Sequence, residues 1–368
     1  MRTIFWISAS LVVYAYAGYP LCLWLWALVR KSAINERDIE PTVSMIIAVR
    51  NEEANLPRKI ENLLSLDYPK DRLETIIVSN GSTDRTEQIL QQEGDGLVFV
   101  NLAEPCGKAM AINEAVNRAT GAILFFQDAR QQIDRNAVRA LVRCFADEEI
   151  GAVSGELVLE QGDAGSSDGL GVYWKIEKIV RRLESASGST VGVTGAIYAI
   201  RRELFTEIPR GTLLDDVFVP MCVARMGKRV VFKPEAIAHD RIFVDKSKEF
   251  SRKVRTLTGN YQLLRLLPWL LTTRNPLLFR FISHKMLRLL VPGFLVVMLG
   301  CSFMSHAPEM RAIFWMQLIF YVLALLGTVE RVGARFRPAG IAHTFVILNM
   351  AAAFAFFNFV TRRDEVWG

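Results

Sequence analysis

At 368 residues, with 51% hydrophobic and 22% charged side chains, the chain is too apolar to be disordered and too charged to lie wholly within a membrane. Its formal net charge of +6 is unevenly spread: from Leu263 onward 11 basic residues face 4 acidic ones, while Met1–Gln262 holds 33 basic and 34 acidic residues. That distribution argues against a nucleic-acid-binding surface and for a basic, membrane-adjacent end. The five cysteines have no CxxC spacing, so neither a disulfide framework nor a zinc site is read.

In chain order, Ile4–Val29 is apolar, unbroken by charge and long enough to cross a ~30 Å hydrocarbon core as a helix. Trp24, Trp26 and then Arg30-Lys31 mark an interfacial, cytoplasmic end. The run is too long for a signal-peptide core and lacks a small-x-small cleavage site, so residues 1–30 are expected to be an uncleaved anchor. Residues 41–260 alternate strands and helices. Val43–Val49 is a β-branched run ending at Arg50-Asn51-Glu52, and Glu53–Leu66 has helical spacing in Leu56, Ile60, Leu63 and Leu64. Thr75–Ser79 is a second strand, ended by Asn80-Gly81-Ser82, with Thr83-Asp84 opening the next helix. Leu97–Asn101 is a third strand, Cys106–Ala119 a helix, and Ile123–Phe126 a fourth strand ending at Gln127-Asp128. This alternation predicts an α/β domain with a mainly parallel sheet covered on both faces.

Gly162–Gly171 reads as a mobile loop beside the site, and Trp174, Glu177, Arg181, Arg182 and Glu184 as a salt-bridged amphipathic helix. Tyr261–Phe281 is apolar but interrupted by Arg265, Pro268, Arg274, Pro276 and Arg280; within residues 261–285 an interfacial helix with snorkelling arginines is expected, a core helix being the alternative. Within residues 286–361, Met286–Met304, Ala312–Val329 and Ile341–Val360 are three further runs of spanning length. The arginines of Arg331–Arg337 mark a cytoplasmic loop, and Asp364-Glu365 offset Arg362-Arg363 on the outer side. The expected topology has both termini outside and the α/β domain in the cytoplasm.

In open α/β sheets ligands bind beyond the carboxyl ends of the strands, where Arg50-Asn51-Glu52, Ser79-Asn80-Gly81 and Asp128-Ala129-Arg130 all fall. The ordered series VSMIIAVRNEE, TIIVSNGSTDRT, GKAMAINEAV, ILFFQDAR, TGAIYAIRRELF and LLDDVFVPMCVARMGKRVVFKPEA, from about Pro41 to Gly259, resembles the membrane-bound family 2 glycosyltransferases, including those of exopolysaccharide assembly. The resemblance implies a Rossmann-like GT-A fold, a nucleotide-diphosphate-sugar donor and transfer with inversion. It implies that Asn51 and Glu52 lie under the nucleotide and that Lys108 meets the diphosphate. Asn80 stands where the family has an aspartate for the base or ribose, and an amide can still donate and accept there.

Asp128 matches the first acid of the family's Asp-x-Asp, which holds a divalent cation, Mg2+ or Mn2+, on the donor. Arg130 replaces the second acid. Either Arg130 meets phosphate directly, or Asp128 binds metal with help from Gln132 or His239, or Arg130 pairs with Asp128 or faces solvent. Leu214-Asp215-Asp216-Val217 matches the acid pair that supplies the base, making Asp216 the base and Asp215 its neighbour. A helix N-terminus there is expected to keep Asp216 ionised. Thr194-Gly195-Ala196 matches a segment near acceptor and donor sugar. Arg252-Lys253-Val254-Arg255-Thr256 stands in place of the Gln-x-x-Arg-Trp of polysaccharide synthases: Arg255 keeps the diphosphate-binding arginine, Arg252 replaces the glutamine, and Thr256 removes the tryptophan on which a growing glycan stacks. The basic cluster also suits anionic headgroups.

The expected protein is an inverting glycosyltransferase of the plasma (inner) membrane, acting on a lipid-linked or growing glycan acceptor, with other polysaccharide-assembly proteins as partners and no nucleic acid. A processive synthase and a catalytically silent nucleotide-binding subunit are the alternatives; no residue string names the donor sugar or base.

Overall fold

The computed structural model describes residues 1–92, 97–160, 168–241, 246–329, 333 and 336–362. Its centre is an eight-stranded sheet of β1 (Val43–Val49), β2 (Leu73–Asn80), β3 (Val98–Leu102), β4 (Ile123–Gln127), β5 (Gln132–Ile133), β6 (Ile150–Glu160), β7 (Ile197–Arg201) and β8 (Arg229–Arg241), in the order β3-β2-β1-β4-β7-β6-β8-β5. The β3-β2-β1-β4 half is parallel throughout, as the β-α-β alternation predicts. Beyond it β7 runs antiparallel to both β4 and β6, while β6 and β8 are again parallel, so the sheet is mixed but mostly parallel.

Helices cover both faces because the buried strands are apolar on both sides. Met45 and Ile47 of β1 face α3 (Leu56–Leu64) and α6 (Ala137–Val142) through Leu56, Ile60, Val138 and Leu141. The alternate residue Ile46 faces α5 (Lys108–Arg118) and α8 (Asp215–Arg225) through Ile112, Val219 and Met221. The remaining helix of the parallel half is α4 (Thr86–Gln92).

Among the described residues four helices are long and apolar enough to cross a membrane: Arg2–Val29, Leu278–Phe303, Pro308–Leu326 and Arg337–Val360, the number and order read from the sequence. The first comprises α1 (Arg2–Val13), a π-helical turn and α2 (Tyr19–Val29). Of the arginines read as a cytoplasmic loop, Arg331 and Arg335 lie outside the described residues, as does Arg363; Arg337 opens the last helix. Most of the expected Gly162–Gly171 loop also lies outside them, and α7 (Asp168–Ala186) begins within its end.

The single helix expected within Tyr261–Phe281 is not formed. Tyr261–Leu266 closes the long helix α9 (Lys246–Leu266), Pro268–Leu271 is a 3-10 turn, and α10 (Leu278–Arg280) leads into the second apolar helix. Pro268 and Pro276 prevent one continuous helix, and Leu263, Leu267, Trp269, Leu270 and Phe281 join the core. Arg280 does not snorkel: it is buried, donating to the carbonyls of Glu184, Ser187 and Ser189.

The amphipathic reading of α7 also misses its main feature. Lys178 and Arg182 do pair with Glu156, but Glu177 and Glu184 are buried on either side of His284, at 3.0 and 2.9 Å. Tyr19 donates to Glu184 at 2.5 Å and Arg288 to Glu177 at 2.8 Å. Burial alone would raise both acids; the charge of His284, with Arg288 beside Glu177, holds Glu177 well below and Glu184 below the ordinary range. This cluster ties two apolar helices to α7.

Gly121 lets β4 enter beside β1, since a methyl there would lie 2.5 Å from the Ser44 amide nitrogen. Gly121→Ala is expected to destabilise the protein by about 1–3 kcal/mol, as overpacking does. Thermal unfolding of the detergent-purified protein checks this, and an unchanged midpoint would contradict the packing described.

Candidate active site

The loops after β1 and β2 are stitched together. Asn51 takes a left-handed φ of 54°, a conformation asparagine tolerates. Its side-chain oxygen accepts the Thr83 N–H at 2.8 Å, and its own N–H reaches Ser82 Oγ at 3.2 Å. The Glu52 N–H donates to Thr86 Oγ1 at 2.8 Å, while its carboxylate accepts from Asn55 at 2.7 Å. Buried Asn80 accepts the Cys106 N–H at 2.8 Å, which ties the end of β2 to the loop before α5. Asn51, Glu52 and Asn80 thus build the frame of one polar strand-end cradle.

Lys108 opens α5, just beyond that loop. Gly107, with φ of 91°, turns the chain into α5, and the Lys108 ammonium then reaches Asp128 at 2.9 Å and Asp215 at 3.6 Å. Burial would lower its pKa, but the two carboxylates outweigh that and raise it. Asp215 opens α8 and Asp216 lies in its first turn, as expected. The helix N-terminus does not dominate Asp216, however: burial first, then the charge of Asp215, push its pKa up to about 6 against Lys108, Lys285 and Arg181. Among the described residues no hydrogen bond or ion pair engages the Asp216 carboxylate; its backbone carbonyl accepts the Val193 N–H at 2.9 Å. The Thr194-Gly195-Ala196 segment passes this acid, a methyl on Gly195 falling 3.6 Å from Asp216 Oδ2.

Arg130 is half-buried, and it is drawn to Asp240 rather than to Asp128. It donates to the buried Asp240 at 2.5 Å, and Gln131 donates to the same carboxylate oxygen at 3.0 Å. Gln132 and His239 face each other in the β5–β8 ladder, with Gln132 donating to the Arg58 carbonyl at 3.2 Å and His239 Nε2 lying 2.9 Å from Asp134 Oδ1. Among the described residues no group of three or more His, Cys, Asp or Glu could hold a metal. The chemistry of the site still fits a hard divalent cation that takes one carboxylate from the protein and the rest of its ligands from phosphate and water. Asp128 is the carboxylate placed to hold one.

Helix α9 docks on the acid pair. Gly259 leaves room for Leu214, whose Cγ would lie 2.5 Å from a methyl there, and Gln262 bonds both Leu213 N–H and Gly211 C=O, at 2.9 Å each. One turn earlier, Arg255 is half-buried, and its Nε is buried without a hydrogen-bond partner among the described residues. A buried donor of this kind calls for an acceptor, from water or from an anion. Arg252 and Thr256 are exposed on the same helix.

Four side chains escaped sequence reasoning. Lys59 is fully buried beneath Asp128, and burial lowers its pKa to about 7 against the attraction of Asp128. Its spacing with Leu56, Ile60 and Leu63 was the available signal, because it places a lysine on the core face of α3. Tyr198 and Gln127 line a small cavity with Lys108, Asp215 and Gly195, and each has a buried polar atom without a partner, Tyr198 Oη and Gln127 Nε2. Asp240, the anchor of Arg130, carries no local sequence signal.

Residues 44–208 match the family "Glycosyl transferase family 2". The chain is 24% identical over 273 residues to the poly-beta-1,6-N-acetyl-D-glucosamine synthase of Staphylococcus aureus, covering 71% of this chain and 63% of that protein, so it spans less than two thirds of that relative. It is 27% identical over 216 residues to the probable glycosyltransferase YdaM of Bacillus subtilis, covering 55% of this chain and 51% of YdaM. Among solved structures, the mannosyltransferase PcManGT of Pyrobaculum calidifontis, in complex with GDP-Man and Mn2+, superposes with a TM-score of 0.76 at 20% identity, over 97% of this chain and 99% of that one. The fold is therefore GT-A, and residues 44–208 are a glycosyl transferase family 2 domain.

Proposed function

We propose that the chain is an inverting glycosyltransferase that moves a sugar from a nucleoside-diphosphate sugar to a hydroxyl of a lipid-linked or growing glycan. The observation that carries this is the Asp216 carboxylate, without a partner among the described residues, beside a lysine that spans two acids. Asn51, Glu52 and Asn80 frame the nucleotide, while Lys108 and Arg255 meet the diphosphate. The acceptor oxygen bonds to the anomeric carbon as the bond from that carbon to the diphosphate breaks, and Asp216 takes the hydroxyl proton. A base with a pKa of about 6 is ionised at neutral pH yet retains proton affinity. A divalent cation at Asp128 would neutralise charge on the departing diphosphate.

The GDP-Man and Mn2+ of PcManGT support a donor of this class. The synthase relative supports a setting in exopolysaccharide or other cell-surface glycan assembly. The four apolar helices, with Arg30-Lys31 following the first, support attachment to the plasma membrane with the site on its cytoplasmic face. Thr256 in place of an aromatic platform favours single addition over processive synthesis.

Binding of a panel of UDP-, GDP- and dTDP-sugars is expected to be strengthened by Mg2+ or Mn2+; binding indifferent to metal would remove the cation from Asp128. Asp216→Asn is expected to reduce transfer of radiolabelled sugar by roughly 10²–10⁴-fold, the usual worth of a positioned base, with donor affinity retained. Unchanged turnover would remove Asp216 from the mechanism, and a wild type inactive with every donor and acceptor would favour a silent subunit. Because the base must be deprotonated, wild-type turnover is expected to fall as pH drops through about 6. Asp215→Asn removes a charge that raises Asp216, so the acid limb in its pH–rate profile should move to lower pH; a limb that stays in place would contradict the assignment.

A further inference from the structure

Lys59 sits on α3 among Leu56, Ile60 and Leu63, with no exposed surface at all. Its ammonium donates to Gln127 Oε1 at 2.5 Å and to the Gln131 carbonyl at 2.7 Å. Those acceptors bracket Asp128-Ala129-Arg130, the turn that carries the site's single candidate metal ligand. Burying an ammonium is unfavourable, and an apolar side chain of similar volume would serve packing as well or better. Stability therefore gives no reason for a lysine at this position, whereas the geometry of the turn does.

The second acid of the family pattern is absent here. With Arg130 drawn away to Asp240, the direction of one carboxylate decides how a diphosphate or its cation is met. Lys59 grips the turn from the α3 side as Asp240 grips it through Arg130 and Gln131. Gln127 extends the connection, because its amide oxygen accepts a hydrogen bond from the Lys59 ammonium while the same side chain lines the cavity shared by Lys108, Tyr198 and Asp215.

We propose that Lys59 is a positioning residue, which clamps the Gln127–Gln131 turn from beneath and thereby fixes the Asp128 carboxylate toward the donor diphosphate. The proposal rests on the donor-binding reading of the site. It differs from a packing role in one respect: its effect must pass through Asp128.

The test is a double-mutant cycle on the full-length, detergent-purified protein. Wild type, Lys59→Met, Asp128→Asn and the double variant are compared by equilibrium binding of UDP and of GDP in the presence of Mn2+, with thermal unfolding measured alongside. Lys59→Met is expected to melt no lower than wild type and to bind the preferred nucleotide roughly tenfold more weakly, the scale of lost hydrogen bonds to a charged group. In the Asp128→Asn background the same change should add less than about twofold, because interacting residues are not additive. Lys59→Gln, a smaller neutral side chain that keeps an N–H donor, provides the same comparison if Lys59→Met does not fold. Equal losses in both backgrounds, or no loss in the wild-type background, would overturn the positioning role while leaving donor binding intact. A wild type that binds neither nucleotide would instead overturn the donor reading, and this proposal with it.

Discussion

The site is organised by one ammonium group between two carboxylates. Lys108 begins α5, Asp128 follows β4 and Asp215 begins α8, so a single side chain draws together three elements that are distant in sequence. A lysine at a helix N-terminus opposes the helix dipole, and here the two acids compensate it. The same arrangement leaves Asp216 with an elevated pKa and no partner among the described residues. In the proposed mechanism one acid accompanies the lysine that meets the diphosphate, and its neighbour takes the proton.

Buried charge recurs where the α/β sheet meets the apolar helices. His284 lies between Glu177 and Glu184, Tyr19 joins Glu184, and Arg280 gathers the carbonyls that follow α7. Such contacts stabilise little over an apolar equivalent but impose geometry, since each charge left alone would be costly. They hold α7 against the first and second apolar helices. At the other end of the sheet domain, α9 meets the apolar helices through Tyr261, whose hydroxyl donates to the Leu289 carbonyl at 3.3 Å and whose ring stacks on Phe359.

What could be read from the sequence followed from short-range pattern. Val43–Val49 is recovered to the residue because both faces of that strand are apolar, and the four long apolar runs need only length and hydropathy. The places of Asn51, Asn80 and Asp128 at strand ends and of Lys108 and Asp216 at helix starts were legible in the chain pattern, whereas their roles came from the family resemblance. The reversal at β7 has no local signature, since antiparallel pairing depends on which edge a strand finds. Arg130 could not be assigned because its partner, Asp240, lies 110 positions away. Lys59 drew no reading, although its spacing with Leu56, Ile60 and Leu63 places it on the buried face of α3. Tyr261–Phe281 was misjudged as one helix because apolarity was weighed above its two prolines.

Replacing Lys108 tests the account at its centre. Equilibrium binding of UDP and GDP, with Mn2+ present, can be compared between wild type and Lys108→Met, which keeps the length of the side chain and removes its charge. The account predicts that binding weakens by at least about tenfold, because the loss falls on a charge-assisted contact with phosphate. Nucleotide affinity unchanged by Lys108→Met would contradict it.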